Sequence, residues 1–324
     1  LPIYPLHVAL GQLRDRLAER DVTAVPDSAD ESFALSIADA AWGQTDYPFD
    51  PAYLAELAAF TGDEGGLHEV DYAQPERARD HINAWVAEAT DGQIPDLLPA
   101  GSLDTQTRLV LTTALSFRAR WEHPFDAPTA RPFTALDGTD HEVPMLDQRR
   151  SWAVAERDGT QVVELPYAGG DVAMLVLLPP PGEFRAVERR LDADRLSALV
   201  DALEPRPTRL VLPCFEFTWR QDLVAPLARL GLGALFDPDA RALDGIAETD
   251  EPLAVDGVYH ETRVAVDAAG TEAAAATGTT IGTVSVQPVE TEIVADRPFL
   301  FLIRDRPTGA VLFCGRAVDP AGWR

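Results

Sequence analysis

The sequence predicts an α+β fold in a single domain over residues 1–324, with a helix-rich first third followed by large β-sheets. Apolar residues recur at helical spacing up to residue 92, whereas β-branched apolar runs dominate from residue 107 onward. The helical and extended segments do not alternate regularly, which argues against a βαβ arrangement. With 324 residues, 46% of them hydrophobic, the chain can fill one large core, and neither a repeat nor a long linker divides it.

The chain opens with one helix pattern and one strand pattern. Four leucines recur at helical spacing between residues 6 and 17, which predicts an amphipathic helix. Phe33, Leu35 and Ile37 then alternate with smaller residues, which predicts a strand that carries its larger side chains on one face and ends near Trp42.

Two further helices are predicted where a turn residue precedes proline. Asp50-Pro51 begins the first, because proline fits the first helical turn and the residue before it can cap. Gln74-Pro75 begins the second, which is expected to stop at Asp91-Gly92. A short strand is predicted between them at residues 67–72.

The remainder of the chain is predicted to be mostly strands. Only Phe184–Leu203 and Asp222–Leu232 have helical spacing there, and the second is expected to be interrupted or opened by Pro226. The runs that predict strands are RLVLTTALSFRARW, SWAVAE, QVVELPY, VAMLVLLPP and TRLVLPCFEF.

The charge balance excludes several classes of partner. Fifty-three acidic residues stand against 27 basic ones, and the net charge of -26 repels nucleic acid and anionic membrane surfaces. We therefore expect neither as a partner. Every basic residue is arginine, so a phosphate-binding loop of the Gly-Lys-Ser/Thr kind is excluded. The longest apolar run, Val172–Leu178, is far shorter than a membrane span.

No motif predicts an enzyme, a metal site or a cofactor. Neither His141-Glu142 nor His260-Glu261 is followed by the second histidine of a helical zinc site. No serine lies in a Gly-x-Ser-x-Gly sequence, and Gly231-Leu232-Gly233 continues to Phe236 where a dinucleotide loop requires glycine. Two cysteines, Cys214 and Cys314, lie in apolar strand-like runs, which favours buried free thiols over a disulfide or a metal site.

The segment from Val266 to Pro288 has a composition that fits neither a core element nor an ordinary loop. Its alanines favour helix, whereas its threonines favour strand and its glycines neither. As a strand it would place Thr271 and the small residues at every second position on one face, with Glu272 on the other. Such a face could enter a preformed sheet without overpacking it. A surface linker or a short helix is the alternative.

Four stretches carry the clearest resemblance to the serpin family, and the resemblance as a whole is nearly continuous from about Phe33 to Pro320. The stretch before the small-residue segment and the stretch after it resemble the strands on either side of the serpin reactive loop. Thr113–Phe117 followed by Trp121–Phe125 resembles the family's conserved strand and breach tryptophan. The sequences are PLAVDGVYHETRVAVDAAGTEAAAAT, ADRPFLFLIRDRPTGAVLFCGRAVDP, TALSF with WEHPF, and RLVLPCFEFTWRQDLVAPLARLGLGALFDPDARALDGIAE.

This resemblance implies a single-domain serpin fold with large mixed or antiparallel sheets and an exposed reactive loop at about residues 268–287. It also implies a metastable, suicide-substrate inhibitor of serine proteases: cleavage of the loop lets its first half enter the large sheet and trap the protease. The lysine-free, Ala- and Arg-rich composition favours a bacterial member. The family's N-terminal helices are expected to be missing. A monomer without cofactor is expected, and an extracellular location is favoured over a cytoplasmic one.

Family spacing places the reactive bond between Val284 and Ser285. A valine in the primary pocket favours elastase-, chymotrypsin- or subtilisin-like proteases over trypsin-like ones as partners. The alternative is a non-inhibitory serpin-fold carrier or chaperone-like binding protein, whose hinge tends to carry bulky, charged or proline residues. The hinge that the resemblance implies consists of Gly270, Thr271, Glu272, Ala273, Ala274, Ala275, Ala276 and Thr277.

Three residues outside the loop match the family's breach and shutter. Trp121 matches the tryptophan at the top of the sheet, although it could equally be a core aromatic. His260 matches the shutter histidine, which bonds across the sheet, and it could instead be a packed strand residue. The position of the family's usual shutter asparagine is Thr113 here, whose hydroxyl offers fewer hydrogen bonds than an amide.

Overall fold

The computed structural model describes residues 13, 16–17, 33–61, 67–271 and 291–320. Leu13, Arg16 and Leu17 are helical, and the rest of the predicted opening helix lies outside the described residues. The strands are β1 Phe33–Gln44, β2 Leu67–Val70, β3 Leu109–Arg120, β4 Thr129–Thr134, β5 Asp140–Arg157, β6 Thr160–Pro166, β7 Val172–Leu178, β8 Glu204–Pro213, β9 Phe215–Asp222, β10 Gly257–Val266, β11 Gly270–Thr271, β12 Thr291–Val294, β13 Phe299–Asp305 and β14 Val311–Ala317. The α-helices are α1 Pro51–Thr61, α2 Pro75–Ala89, α3 Phe184–Arg190, α4 Ala193–Val200 and α5 Val224–Leu227.

These strands form two sheets. The first has the order β2-β1-β3-β11-β10-β9, with β3 also paired to β10. The second has the order β12-β8-β5-β6-β7-β13-β14, with β4 paired to β5. All seven residues of β7 are buried, so the most apolar run of the sequence is a central core strand. The predicted α+β class with large mixed sheets is confirmed.

Two compact units are distinguished within the described residues. The first consists of the described residues within 1–18, 35–117 and 218–263, and the second of those within 19–34, 118–217 and 264–320. In the first unit β3 and β10 pair in parallel from Val110 with Gly257 to Ser116 with Arg263. In the second unit β5 pairs with both β6 and β8 in antiparallel fashion.

The buried face of β1 is the one that carries Trp42 and not the one that carries Leu35 and Ile37. Ile37 is 41% exposed, whereas Ala38 and Trp42 are buried together with Ile82 of α2. Trp42 determines which face of β1 packs into the core, because its indole buries more apolar area than any of the smaller side chains on the other face. Its indole N–H also donates to the Thr112 hydroxyl at 2.9 Å, which satisfies the buried nitrogen.

Both predicted helices in the second half of the chain are interrupted. Phe184–Leu203 contains α3 and α4, separated at Asp192, whose carboxylate accepts the Arg195 N–H at 2.8 Å and caps α4. After α5 the backbone continues as a π-helical turn in which Gly231 has φ 99°. This conformation requires glycine and prevents a regular helix from reaching Leu232.

Both cysteines are free thiols. Cys214 is half-buried in the one-residue break between β8 and β9, and burial raises its pKa to about 11. Cys314 is exposed, so the prediction of two buried thiols is wrong for this residue. Its strand, β14, lies at the edge of the sheet and pairs only with β13 among the described strands.

None of the described helices is long and apolar enough to cross a membrane.

Candidate functional site

The candidate site lies in the second unit, where the chain turns from β10 into β11. Thr271 pairs with Val266 of β10 on one side and with Ala119 of β3 on the other, and Gly270 pairs with Arg120. The first two residues of the predicted hinge are therefore already a strand inside the sheet. This differs from the expectation that the loop is held wholly outside it.

Residues 267–270, which we call the entry turn, are closed by the Asp267 side chain. Its carboxylate accepts the N–H groups of Ala269 at 2.8 Å and Gly270 at 3.0 Å. The Asp267 N–H in turn donates to the Gly270 carbonyl at 2.9 Å. A short acidic side chain that bonds the backbone two and three residues ahead is typical of a tight turn.

Trp121 and Phe125 bond three of the four carbonyl groups of the entry turn. The Trp121 indole N–H donates to the Asp267 carbonyl at 2.9 Å, and its backbone N–H donates to the Ala269 carbonyl at 2.9 Å. The Phe125 N–H donates to the Ala268 carbonyl at 2.8 Å. The acceptors in these bonds are backbone carbonyl groups of the entry turn. The turn is therefore anchored without a charged side chain at Ala268 or Ala269.

Gly270 lies too close to β3 for any other residue. A Cβ atom at this position would collide with the carbonyl oxygen of Ala119 and with the Cα atom of Arg120. Glycine therefore lets β11 approach β3 closely enough to pair with it.

Thr271 is fully buried, and its hydroxyl lies 2.8 Å from the hydroxyl of Tyr167, which is also fully buried. Burial raises the pKa of Tyr167, and the hydrogen bond to Thr271 acts in the opposite direction. Tyr167 is thus a neutral phenol at any physiological pH. Two neutral hydroxyl groups satisfy one another where water does not reach.

Two further aromatic rings extend the packing that begins at the Tyr167 ring. The rings of Trp121 and Tyr167 are stacked, with centroids 4.5 Å apart and planes within 10° of parallel. Phe125 meets Trp121 edge-on at 6.2 Å. Trp121 therefore both packs against the partner of Thr271 and bonds the entry turn.

Thr113 and His260 lie in the first unit, where they are directly opposite in the parallel register of β3 and β10. The Thr113 hydroxyl does not bond the His260 ring but donates to the Asp39 carboxylate of β1. The His260 ring meets Trp219 edge-on at 5.6 Å. The structure thus brings the two predicted shutter residues together on opposite strands, but it joins Thr113 to a residue that the sequence did not suggest.

Burial lowers the pKa of His260, while a hydrogen bond with the Thr113 backbone and the charge of Asp39 act in the opposite direction. Its Nδ1 atom is buried and has no hydrogen-bond partner in the described part of the chain. The imidazole is therefore favoured in its neutral form, because charging it would require solvation that the packed ring lacks.

The remaining predicted site residues, namely the hinge from Glu272 to Thr277 and the bond between Val284 and Ser285, lie outside the described residues. Sequence reasoning missed Asp267, Tyr167 and Asp39. Asp267 could have been found, because Asp followed three residues later by Gly is a turn signal. Tyr167 and Asp39 had no local signal. Within the described residues, no group of three or more His, Cys, Asp or Glu side chains could hold a metal ion.

A family model described as Serpin (serine protease inhibitor) matches residues 6–320. Leukocyte elastase inhibitor from Bos taurus is 36% identical over 300 residues, which cover 89% of this chain and 78% of that protein. An uncharacterized serpin-like protein from Thermococcus kodakarensis is 37% identical over 294 residues, covering 89% of this chain and 67% of that protein.

A solved structure has the same fold. The crystal structure of uncleaved ovalbumin superposes with a TM-score of 0.82 at 29% sequence identity, covering 95% of this chain and 82% of the ovalbumin chain. The family match, the sequence relatives and the fold agree over nearly the whole chain. The chain belongs to the serpin family.

Proposed function

We propose that this serpin inhibits serine proteases irreversibly as a suicide substrate. A protease cuts the loop between Val284 and Ser285, and the freed residues from Glu272 onward then continue β11 as a strand between β3 and β10. The protease is still attached through its acyl bond and is carried along. About a dozen inserted residues at roughly 3.3 Å each would move it on the order of 40 Å.

The observation that carries this proposal is β11 itself. Gly270 and Thr271 already pair with β3 on one side and with β10 on the other. Insertion therefore needs no new nucleus, because every further residue extends two ladders that have begun. Each residue gains main-chain hydrogen bonds, as in other cases where an extended segment adds to a sheet.

The small side chains of the hinge also favour insertion into the sheet. Thr271 is fully buried in β11, so the alternate residues Ala273, Ala275 and Thr277 would follow on the same face. All three are small enough to enter without overpacking. Glu272 would point to the other face.

Val284 supports a partner with a small aliphatic primary pocket. Leukocyte elastase inhibitor is among the relatives at 36% identity. We therefore propose elastase-, subtilisin- or chymotrypsin-like enzymes as targets and disfavour trypsin-like ones, which require arginine or lysine at this position.

The direct test is incubation with an elastase-, a subtilisin-, a chymotrypsin- and a trypsin-like protease, followed by a denaturing gel. A covalent complex that survives denaturation and contains both proteins is the expected result. Cleavage of the loop by every enzyme without any complex would contradict inhibition and favour the carrier or chaperone-like alternative. A catalytically inactive protease, with its nucleophilic serine replaced by alanine, is the control, because it cannot form an acyl bond.

A Val284→Arg variant is expected to become a target of trypsin-like proteases and to lose most of its preference for elastase-like ones. The bond is recognised in one pocket of the protease, whereas insertion depends on the hinge, so the yield of complex per cleavage should be unchanged. Association rates with the two proteases give the measurement, and Val289→Arg is the control beyond the proposed bond. An unchanged preference would place the reactive bond elsewhere.

A further inference from the structure

Tyr167 follows the last residue of β6 and is fully buried beside Trp121 and Thr271. Its only polar side-chain atom, the phenol oxygen, lies 2.8 Å from the Thr271 hydroxyl. We propose that Tyr167 is a positioning residue that holds β11 inside the sheet before cleavage, so that insertion starts from Glu272. The link to inhibition rests on the proposed function, whereas the position of β11 does not.

The other bonds of the entry turn do not select the side chain at residue 271. Asp267, Trp121 and Phe125 all bond backbone groups of residues 267–270. The Tyr167 hydroxyl is the contact that recognises the Thr271 side chain, and it does so at the point where the chain enters the sheet. A hydroxyl at 271 is therefore matched to a hydroxyl at 167.

Removing one member of this pair has a different consequence from removing both. With Tyr167→Phe the Thr271 hydroxyl would be buried without a partner, which costs free energy that is recovered when β11 leaves the sheet and Thr271 meets water. The isosteric Thr271→Val removes the same hydrogen bond from the other side, because the phenol then lacks its Thr271 partner. In the double variant neither polar group remains, so β11 can stay inside the sheet at little cost.

Amide hydrogen exchange of the intact protein, without any protease, measures whether β11 leaves the sheet. We expect Tyr167→Phe and Thr271→Val each to speed exchange roughly tenfold in peptides covering the entry turn and the end of β3, where the Trp121 N–H donates to Ala269. The double variant should return to within about twofold of wild type. Peptides from β13 are the internal reference for global destabilisation.

Tyr72→Phe is the matched control, because Tyr72 is also fully buried and its hydroxyl donates to the Trp42 carbonyl at 3.0 Å. It loses one buried hydrogen bond elsewhere and should leave exchange of the entry turn unchanged. Wild-type exchange in Tyr167→Phe, or a double variant as fast as the single ones, would overturn the inference. If Tyr167→Phe does not fold, Thr271→Val and the double variant decide the question in the same way.

The yield of covalent complex separates this inference from the proposed function. If both hold, the single variants lose complex in favour of cleaved free inhibitor, and the double variant recovers it. If exchange behaves as expected but no variant, including wild type, forms a complex, the position of β11 stands and protease inhibition does not. If complex forms equally in all variants while exchange is unchanged, inhibition stands and the role of Tyr167 does not.

Discussion

A Thr271→Arg variant is expected to be cleaved by its target protease at the wild-type rate yet to release active enzyme instead of trapping it. Thr271 is fully buried, and its hydroxyl is paired with Tyr167. An arginine there would bury its charge without a partner, which costs several kcal/mol even after relaxation. The proposed reactive bond between Val284 and Ser285 is about a dozen residues away, so recognition by the protease should not change.

The size of the effect follows from the competition between insertion and deacylation. If β11 must leave the sheet to expose the guanidinium, insertion has to begin by burying it. Each 1.4 kcal/mol on that barrier slows insertion about tenfold, so a penalty of several kcal/mol slows it by a factor of a hundred or more. Deacylation then wins, and the complex should fall below detection on a denaturing gel.

Thr271→Ser is the matched control, because it keeps a small side chain with a hydroxyl near Tyr167. It should retain most of the covalent complex. Cleavage rates, complex yield and residual protease activity are measured for both variants against the best target. Equal complex yields from the arginine variant and wild type would remove entry at residue 271 as part of the mechanism.

Cleavage of the wild-type loop within residues 283–286 is expected to raise the thermal unfolding midpoint sharply. In the uncleaved protein β3 and β10 pair directly with each other from Val110 with Gly257 to Ser116 with Arg263. An inserted strand replaces this single parallel ladder by two antiparallel ones and buries a further row of side chains. Each 1 kcal/mol added to the free energy of unfolding raises the melting midpoint by about 2–4 °C for domains of 150–250 residues. A gain of several kcal/mol therefore raises the midpoint by about 10 °C or more.

The measurement compares melting of the intact and the cleaved protein at the same scan rate, because the proposed mechanism requires kinetic stability of the uncleaved form and a midpoint under kinetic control depends on scan rate. Cleaved Thr271→Arg is the control, since its loop should not insert and its midpoint should stay near that of the intact variant. A cleaved wild type that melts at or below the intact temperature would show that cleavage releases no strand into the sheet.

Local patterns in the sequence predicted the class of most elements but not which face they bury. Phe33, Leu35 and Ile37 alternate correctly for β1, yet the buried face is that of Trp42. Both faces of this strand carry apolar residues, so a period of two cannot choose between them. The choice is made by α2, whose Ile82 packs in the same cluster as Trp42.

The predicted boundaries of the helix at Phe184–Leu203 were wrong because periodicity alone does not show where one helix ends and the next begins. The pattern from Phe184 to Leu203 is compatible with one helix, but Asp192 caps a new helix and divides it. A capping aspartate inside an amphipathic pattern is a local signal for a break, because its carboxylate bonds an N–H group that has no partner within the helix that begins there.

The family and the small residues of the hinge can be read from the sequence, because they depend on residue types along one continuous stretch. The position of β11 cannot, because its bonds join residues far apart in the chain. The Trp121 indole reaches a carbonyl 146 residues away, the Tyr167 hydroxyl reaches Thr271 across 104 residues, and Thr113 bonds Asp39 across 74. Only the folded sheets bring these groups within hydrogen-bond distance, and a buried group such as the Thr271 hydroxyl must then pair with whatever neighbour the packing provides.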